Sequence, residues 1–439
     1  RPRATIQYHT VLPLFFCRLY HIFMMMNKCL SFSMMALVCA WSSVSAFVLQ
    51  QPSDHRGMAR LSVAKDPPPL FVDETRANVQ DYYGKNLQSS DDLQTDACCT
   101  AGAPPTYIQD CIKQLHPTTV AKYYGCGLCL PNYDLTGAKL LDLGCGAGRD
   151  VYIASQLVGP TGHVTGIDMT DEQLATAREF QSYHADKFGF DNTDFQKGYL
   201  ESLADIDSLE KGSFDVIISN CVINLCTDKK AVLRACYDLL KEGGEMYFSD
   251  VYANRRAPES LQKNPLLWGE CLSGALYWND FQNLAKECGF ADPRLVEDAP
   301  ISVQNKDVQA MISNEGQASL KFFSATYRLS KLPGKLEPAC EDYGQAVIYK
   351  GTIPRAASGW LLDKHHYFEQ GRVHPVCGNT WYMLAENPRL KDHFEFIGDF
   401  SCHYGIFEGC GSALPFDDTQ SSPAEGGTKG ASSKGASCC

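Results

Sequence analysis

The chain has 439 residues, 44% hydrophobic and 21% charged, which is enough for two or three domains with real cores. A net charge of −12 and the lack of any basic stripe with interleaved aromatics exclude a nucleic-acid partner, because phosphate affinity comes from clustered Lys and Arg. The 20 cysteines are not read as the staples of a small secreted fold: most of those before residue 289 interleave with a strand–helix pattern that supplies its own core, so thiol chemistry or soft-metal binding is expected.

The front end has no acidic residue before Asp54, and its first Met is Met24. From there "MMMNKCLSFSMMALVCAWSSVSAFVLQ" runs from Lys28 through an apolar core to small residues at Ala46, the grammar of a signal peptide, and the core is too short and serine-interrupted for a stable membrane span. "QPSDHRGMARLSVAK" then reads as a transit segment. Residues 1–65 are therefore expected to be a presequence, in part upstream of the coding start. The "SAF" junction is similar to bipartite algal presequences and implies a plastid address; the alternative is an extension on a cytoplasmic protein.

Residues 66–115 should hold two helices, "RANVQDYYGKNL" and "PPTYIQDCIKQL", the second with Pro104 and Pro105 at its start, flanking a turn-rich loop with Cys98 and Cys99. Residues 116–332 alternate short apolar runs ("AKLLDL", "HVTGID", "DFQKGYL", "FDVIIS", "GGEMYFSDV") with helical segments such as "TDEQLATAREFQSYHADKF", where Thr170 and Gln173 suggest a capping box. This alternation predicts an α/β fold with a Rossmann-like doubly wound, mostly parallel sheet, and "RLVEDAPISV" and "KFFSATYRLSKL" add two further strands. Residues 333–411 read as a small mixed α+β domain and 412–439 as a disordered Gly/Ser/Ala-rich tail ending in Cys438–Cys439.

The cofactor signal is "LLDLGCGAGRDVYIAS". A strand feeds Gly144, Gly146 and Gly148 and then a helix, and Asp168 closes the next strand, where an acid can accept both ribose hydroxyls. The third glycine comes too early for the dinucleotide fingerprint, and Asp142 places a carboxylate beside the loop, which suits a cationic cofactor better than a pyrophosphate. The combination resembles class I S-adenosylmethionine methyltransferases; a dinucleotide-binding domain is the alternative. Cys221 follows "FDVIIS", the fourth parallel strand, and ligands of such sheets bind outside the carboxyl ends of the strands. It is therefore expected to face the cofactor crevice.

Several long motifs in order ("QTDAC", "KYYGCGL", "GHVTGIDMT", "SNCVINL", "GGEMYFSDVY", "LLWGECLSGALYWND" and "FFSATYRL") make the chain resemble the arsenite methyltransferase family from about residue 78 to 332, and more weakly beyond. The resemblance implies that Cys126, Cys221 and Cys271 bind trivalent arsenic, free or as a thiol conjugate, and that Cys98 and Cys126 take part in a disulfide relay. It also implies cofactor contacts from Tyr124, Gly144, Gly146, Asp168, Met169 and Asn220, with Leu200 and Glu201 at the adenine edge. Cys145 and Ala147 stand where the family often has Ser, which removes no glycine.

Soft trivalent arsenic prefers thiolates, and three sulfurs leave its lone pair free to attack the sulfonium methyl in line without a general base. Two thiols can then reduce the product arsenic, with an external reductant, thioredoxin or glutathione, restoring them. The expected activity is thus an S-adenosylmethionine-dependent arsenite methyltransferase, acting as a monomer in arsenic detoxification; a class I methyltransferase for another small metabolite is the alternative. A zinc module built on Cys126-x-x-Cys129 lacks a second half-site. His365, His366 and His374, and the aromatics Tyr123, Trp268, Tyr277 and Trp278, read as structural.

Overall fold

The structure, a computed structural model, describes residues 69–87, 103–125, 129–262, 265–269, 271–302, 309–310 and 320–410. The presequence and the tail lie outside the described residues, as do Cys98, Cys99 and Cys126. No helix among the described residues is long and apolar enough to cross a membrane.

The alternating runs form one sheet: β1 (Lys139–Leu143), β2 (His163–Asp168), β3 (Thr193–Lys197), β4 (Phe214–Asn220), β5 (Leu240–Ala253), β6 (Leu276–Tyr277), β7 (Arg294–Pro300) and β8 (Phe322–Ser330). Its order is β3-β2-β1-β4-β5-β8-β7, with β6 beside β5. The first five strands are parallel; β8 runs antiparallel to both β5 and β7. The doubly wound, mostly parallel sheet is therefore as expected. Four of the five residues of β1 are buried, because helices cover both faces of a parallel sheet and its strands then need apolar side chains on both.

The helices are α1 (Pro69–Asp81), continued by a π-turn at Tyr82–Asn86, then α2 (Thr106–Ile112), α3 (Pro117–Ala121), α4 (Arg149–Val158), α5 (Asp171–Glu179), α6 (Gln181–Phe188), α7 (Lys229–Leu239) and α8 (Trp278–Glu287). Three expectations fail locally. The long helix over residues 170–188 breaks at Phe180 (φ −99°, ψ 8°) into α5 and α6. The capping box does not form either. Asp168 Oδ1 takes the Thr170 N–H at 2.8 Å, and Gln173 Nε2 donates instead to the Tyr83 carbonyl at 2.8 Å. "DFQKGYL" is also shorter as a strand than it reads, since a 3-10 turn begins at Leu200.

Beyond the sheet lie β9 (Glu341–Asp342), β10 (Ala346–Tyr349), β11 (Gly359–Asp363), β12 (His366–Glu369), β13 (Val373–Pro375), α9 (Gly378–Ala385), β14 (Phe394–Ile397) and β15 (Gly405–Ile406). They make a three-stranded antiparallel sheet, β13-β10-β14, a β11-β12 hairpin, and an antiparallel pair of β9 with the distant β15. This mixed region shares a core with the main sheet. Val347, Tyr349, Trp360, Phe368 and Phe394 belong to the same buried cluster as Ile108, Leu140 and Tyr152. Asn132 fastens the junction from both ends of its side chain and backbone: its Nδ2 donates to the Leu361 carbonyl (2.9 Å), and its carbonyl accepts from Trp360 Nε1 (3.0 Å).

A candidate cofactor cleft with paired cysteines

Gly144 sits at φ +71°, and a Cβ there would stand 2.5 Å from Val222 Cγ1. The turn can therefore carry only glycine at that point. Gly146 is also left-handed (φ +51°), but nothing lies closer than 3.9 Å to where its Cβ would be. The space above it is open, and it forms part of the wall of a cleft. The Gly146 N–H donates to Asp168 Oδ2 at 2.9 Å, so the loop after β1 and the acid after β2 orient each other. Burial raises the pKa of Asp168, opposed by the N–H groups of Thr170 and Gly146.

The cleft gathers most of the residues expected at a cofactor: Tyr124, Gly144, Gly146, Asp168, Met169, Leu200, Glu201, Asn220 and Cys221. Asp142 and Gly148 are not among its walls. Asp142 is buried inside β1, and desolvation, with Asp150 and Asp168 adding to it, pushes its carboxyl pKa well up. Gly148 instead caps α4 at φ +84°, where a Cβ would meet the Phe195 ring at 2.9 Å; it serves helix–sheet packing. Asn220 is positioned by Tyr123 Oη (2.7 Å) and Asp150 Oδ2 (3.0 Å), both accepting from its Nδ2.

The sequence reading missed the cover. Arg76, Val79 and Tyr83 of α1 and its π-turn line the cleft, together with Thr170, Gln173 and Cys226. Gln80 Nε2 donates to the Met169 carbonyl (2.9 Å), Arg76 pairs with Glu201 (3.4 Å), and Tyr83 Oη donates to the Gly269 carbonyl (2.8 Å). The polar residues Arg76, Gln80 and Tyr83, spaced at helical intervals on "RANVQDYYG", were the available signal.

Beside the cleft, at the end of β4, Cys221 and Cys271 come together. The Cys271 thiol donates to the Cys221 carbonyl at 3.2 Å, and both pack in one buried cluster. Both have left-handed backbones, φ +57° and +62°. Cys271 is not disulfide-bonded, whereas Cys221 is. The turn after β4 is anchored by Asp250, whose carboxylate accepts the Asn224 N–H (3.0 Å) and the Val251 N–H (2.9 Å) and whose pKa burial raises to about 7. The peptide at Gly274 approaches the Asn224 carbonyl too closely for any Cβ, which brings the Cys271 turn against that anchor. Cys98 and Cys126 lie outside the described residues. Cys129 is a buried core thiol, and among the described residues no three His, Cys, Asp or Glu side chains form a metal-holding group.

A methyltransferase-domain family model matches residues 135–289. An arsenite methyltransferase of Aquipseudomonas alcaligenes is 58% identical over 77% of this chain and 96% of its own length. The human arsenite methyltransferase is 42% identical over 73% of this chain and 83% of its own length. The X-ray structure of an arsenic(III) S-adenosylmethionine methyltransferase from Chlamydomonas reinhardtii matches with a TM-score of 0.66 at 44% identity, covering 70% of this chain and all of that one. A glycine loop after β1, an acid at the end of β2 and a buried cysteine pair at the end of β4 thus coincide with full-length relatives of one kind, and the chain belongs to the arsenite methyltransferase family.

Proposed function

We propose that this chain transfers methyl groups from S-adenosylmethionine to trivalent arsenic held by cysteine sulfurs. The observation that carries the reading is the Cys221–Cys271 contact beside the cleft. Two non-glycine residues in left-handed backbone cost on the order of 1–3 kcal/mol each, and such strain persists where surrounding structure enforces it, as at ligand clamps. The open space above Gly146 and the acid at Asp168 fit an adenosyl group, with Met169 and Leu200 as walls. When bound, S-adenosylmethionine supplies a sulfonium-activated methyl group.

Arsenic held by the thiolates of Cys126, Cys221 and Cys271 keeps a lone pair that needs no deprotonation, so the chain's contribution is positioning, which can supply roughly 7–11 kcal/mol. A nitrogen or oxygen acceptor would need a base facing it. Glu201, a carboxylate of the cleft, is instead taken up by Arg76 and by the Thr227 N–H at 3.1 Å. Formation of the carbon–arsenic bond leaves arsenic formally pentavalent. Two thiols return two electrons to it and close a disulfide, which thioredoxin or glutathione must reopen. The disulfide at Cys221 is consistent with that need: as an arsenic ligand Cys221 must first be reduced. From residues 24–65 alone, we assign the activity to an organelle.

Incubation with S-adenosylmethionine, arsenite and a dithiol, followed by arsenic speciation, tests the reading. Cys271→Ser should lose methylation by at least about 100-fold while S-adenosylmethionine binding, measured by calorimetry, persists. Retained turnover in that variant would remove Cys271 as a ligand, and absence of methylated arsenic with the unaltered chain would end the proposal.

A further inference from the structure

Cys377 is the N-cap of α9. Its sulfur accepts the Thr380 N–H at 3.5 Å and lies 3.3 Å from Thr380 Oγ1. Arg294, reaching over from β7, donates Nη2 to the same sulfur at 3.6 Å. The Cys340 thiol hydrogen-bonds it as well, and Cys340, Cys377 and Cys410 pack together against Phe407. None of the three is disulfide-bonded, and none lines the cofactor cleft. The hydrogen bond from Cys340, then Arg294 and Thr380, outweigh burial and bring the Cys377 pKa down to about 5, so a thiolate stands beside a thiol at neutral pH. Arg294 also forms part of the wall of a separate cavity, which Asp363 and His365 share.

We propose that Cys340 and Cys377 form a second, dithiol site for trivalent arsenic, one that takes the monomethylated form. The inference rests on the arsenic chemistry proposed above, which supplies the ligand. Two sulfurs already in hydrogen-bond contact can both bond one soft atom with little rearrangement. Two sulfurs match a species with two displaceable groups better than arsenous acid with three. Methylarsonous acid, CH3As(OH)2, has two. Each hydroxyl leaves as water, one carrying the Cys340 proton and the other a proton from solvent in place of the one Cys377 lacks. Two As–S bonds form, two As–O bonds break, and arsenic stays trivalent, so no oxidant or reductant is required. The site holds the once-methylated product on the enzyme between transfers.

The test uses the reduced full chain and methylarsonous acid, with unbound arsenic removed and arsenic per chain measured by plasma mass spectrometry. Cys340→Ser and Cys377→Ser should each lose about one equivalent relative to the unaltered chain, with first methylation of arsenite unchanged. Serine is a good N-cap, so Cys377→Ser keeps the start of α9. A parallel measurement needs no variant: in the unaltered chain, methylarsonous acid should slow alkylation of Cys340 and Cys377 by at least about tenfold, reversibly with excess dithiol, as read by peptide mapping. Unchanged arsenic content in both variants, or unprotected alkylation of the pair, overturns the proposal. Cys271→Ser separates the two readings, since it should stop methylation yet leave the protection at Cys340 and Cys377 intact.

Discussion

His184 Nε2 accepts the His116 N–H at 3.1 Å while Nδ1 stands 2.7 Å from the Phe180 carbonyl, which fixes a neutral ring with its proton on Nδ1. The ring is buried and stacked on Tyr152 at 3.7 Å. Burial lowers its pKa to about 4, against the Phe180 carbonyl, with His116 lowering it further. The unfolded chain would titrate at its usual value of about 6.5. Below that value the unfolded state takes up a proton that the folded state refuses, so stability present above pH 6.5 drains away as pH falls toward 4, by on the order of 2 kcal/mol. The melting temperature should fall across that window, and His184→Gln should start lower at pH 7.5 but slope less. Equal slopes would assign the effect to another group. The consequence reaches the site, because His116 caps α3 through its Nδ1 and α3 leads directly into Tyr123 and Tyr124.

Among the elements, α1 decides how the cleft is covered. Its hold is polar and spread over several contacts: Gln80 to Met169, Arg76 to Glu201, and the following π-turn to Gln173 and Gly269. A hydrogen bond of this kind contributes about 0.5–1.5 kcal/mol, and a partly exposed ion pair about 0–1 kcal/mol. The double substitution Arg76→Ala and Gln80→Ala should weaken S-adenosylmethionine binding by roughly tenfold while the melting temperature of the free protein changes little, since neither contact belongs to the core. Calorimetric titration checks this, and unaltered affinity would reduce α1 to a bystander. The helix was legible in the sequence; its role was not, because a helix's register against a distant loop is not written in its own periodicity. The strands β1 to β5 were legible for the opposite reason. Burial on both faces forces apolar runs, and the glycine loop between β1 and α4 carries its own steric logic. The missing capping box escaped because Asp168, fixed by Gly146, competes for the Thr170 N–H.

On the scale of the whole molecule, the region after Pro333 reads as a separate domain, yet its core is continuous with that of the methyltransferase sheet. Nothing local in "ASGWLLDKHH" shows that Trp360 docks more than 200 residues back, onto Asn132. The same separation hid the Cys340–Cys377 pair, whose members meet only through folding. At the junction, Arg328 of β8 and Glu245 of β5 form a buried ion pair at 3.2 Å, and the guanidinium faces the Trp360 and Tyr247 rings at 5.4 Å. Trp360 thus helps bury a charge that would be costly to leave unpaired. Trp360→Ala should cost about 3–5 kcal/mol through the cavity alone. If the two regions fold as one body, that loss appears in a single unfolding transition that S-adenosylmethionine still shifts upward, because cofactor binding is then linked to the whole. If they fold independently, calorimetry would resolve two transitions, with only the cofactor-insensitive one displaced. We expect the first result: the strands that hold the cleft and the strands that carry Trp360 share one set of buried side chains, and removing the largest of them withdraws support from both.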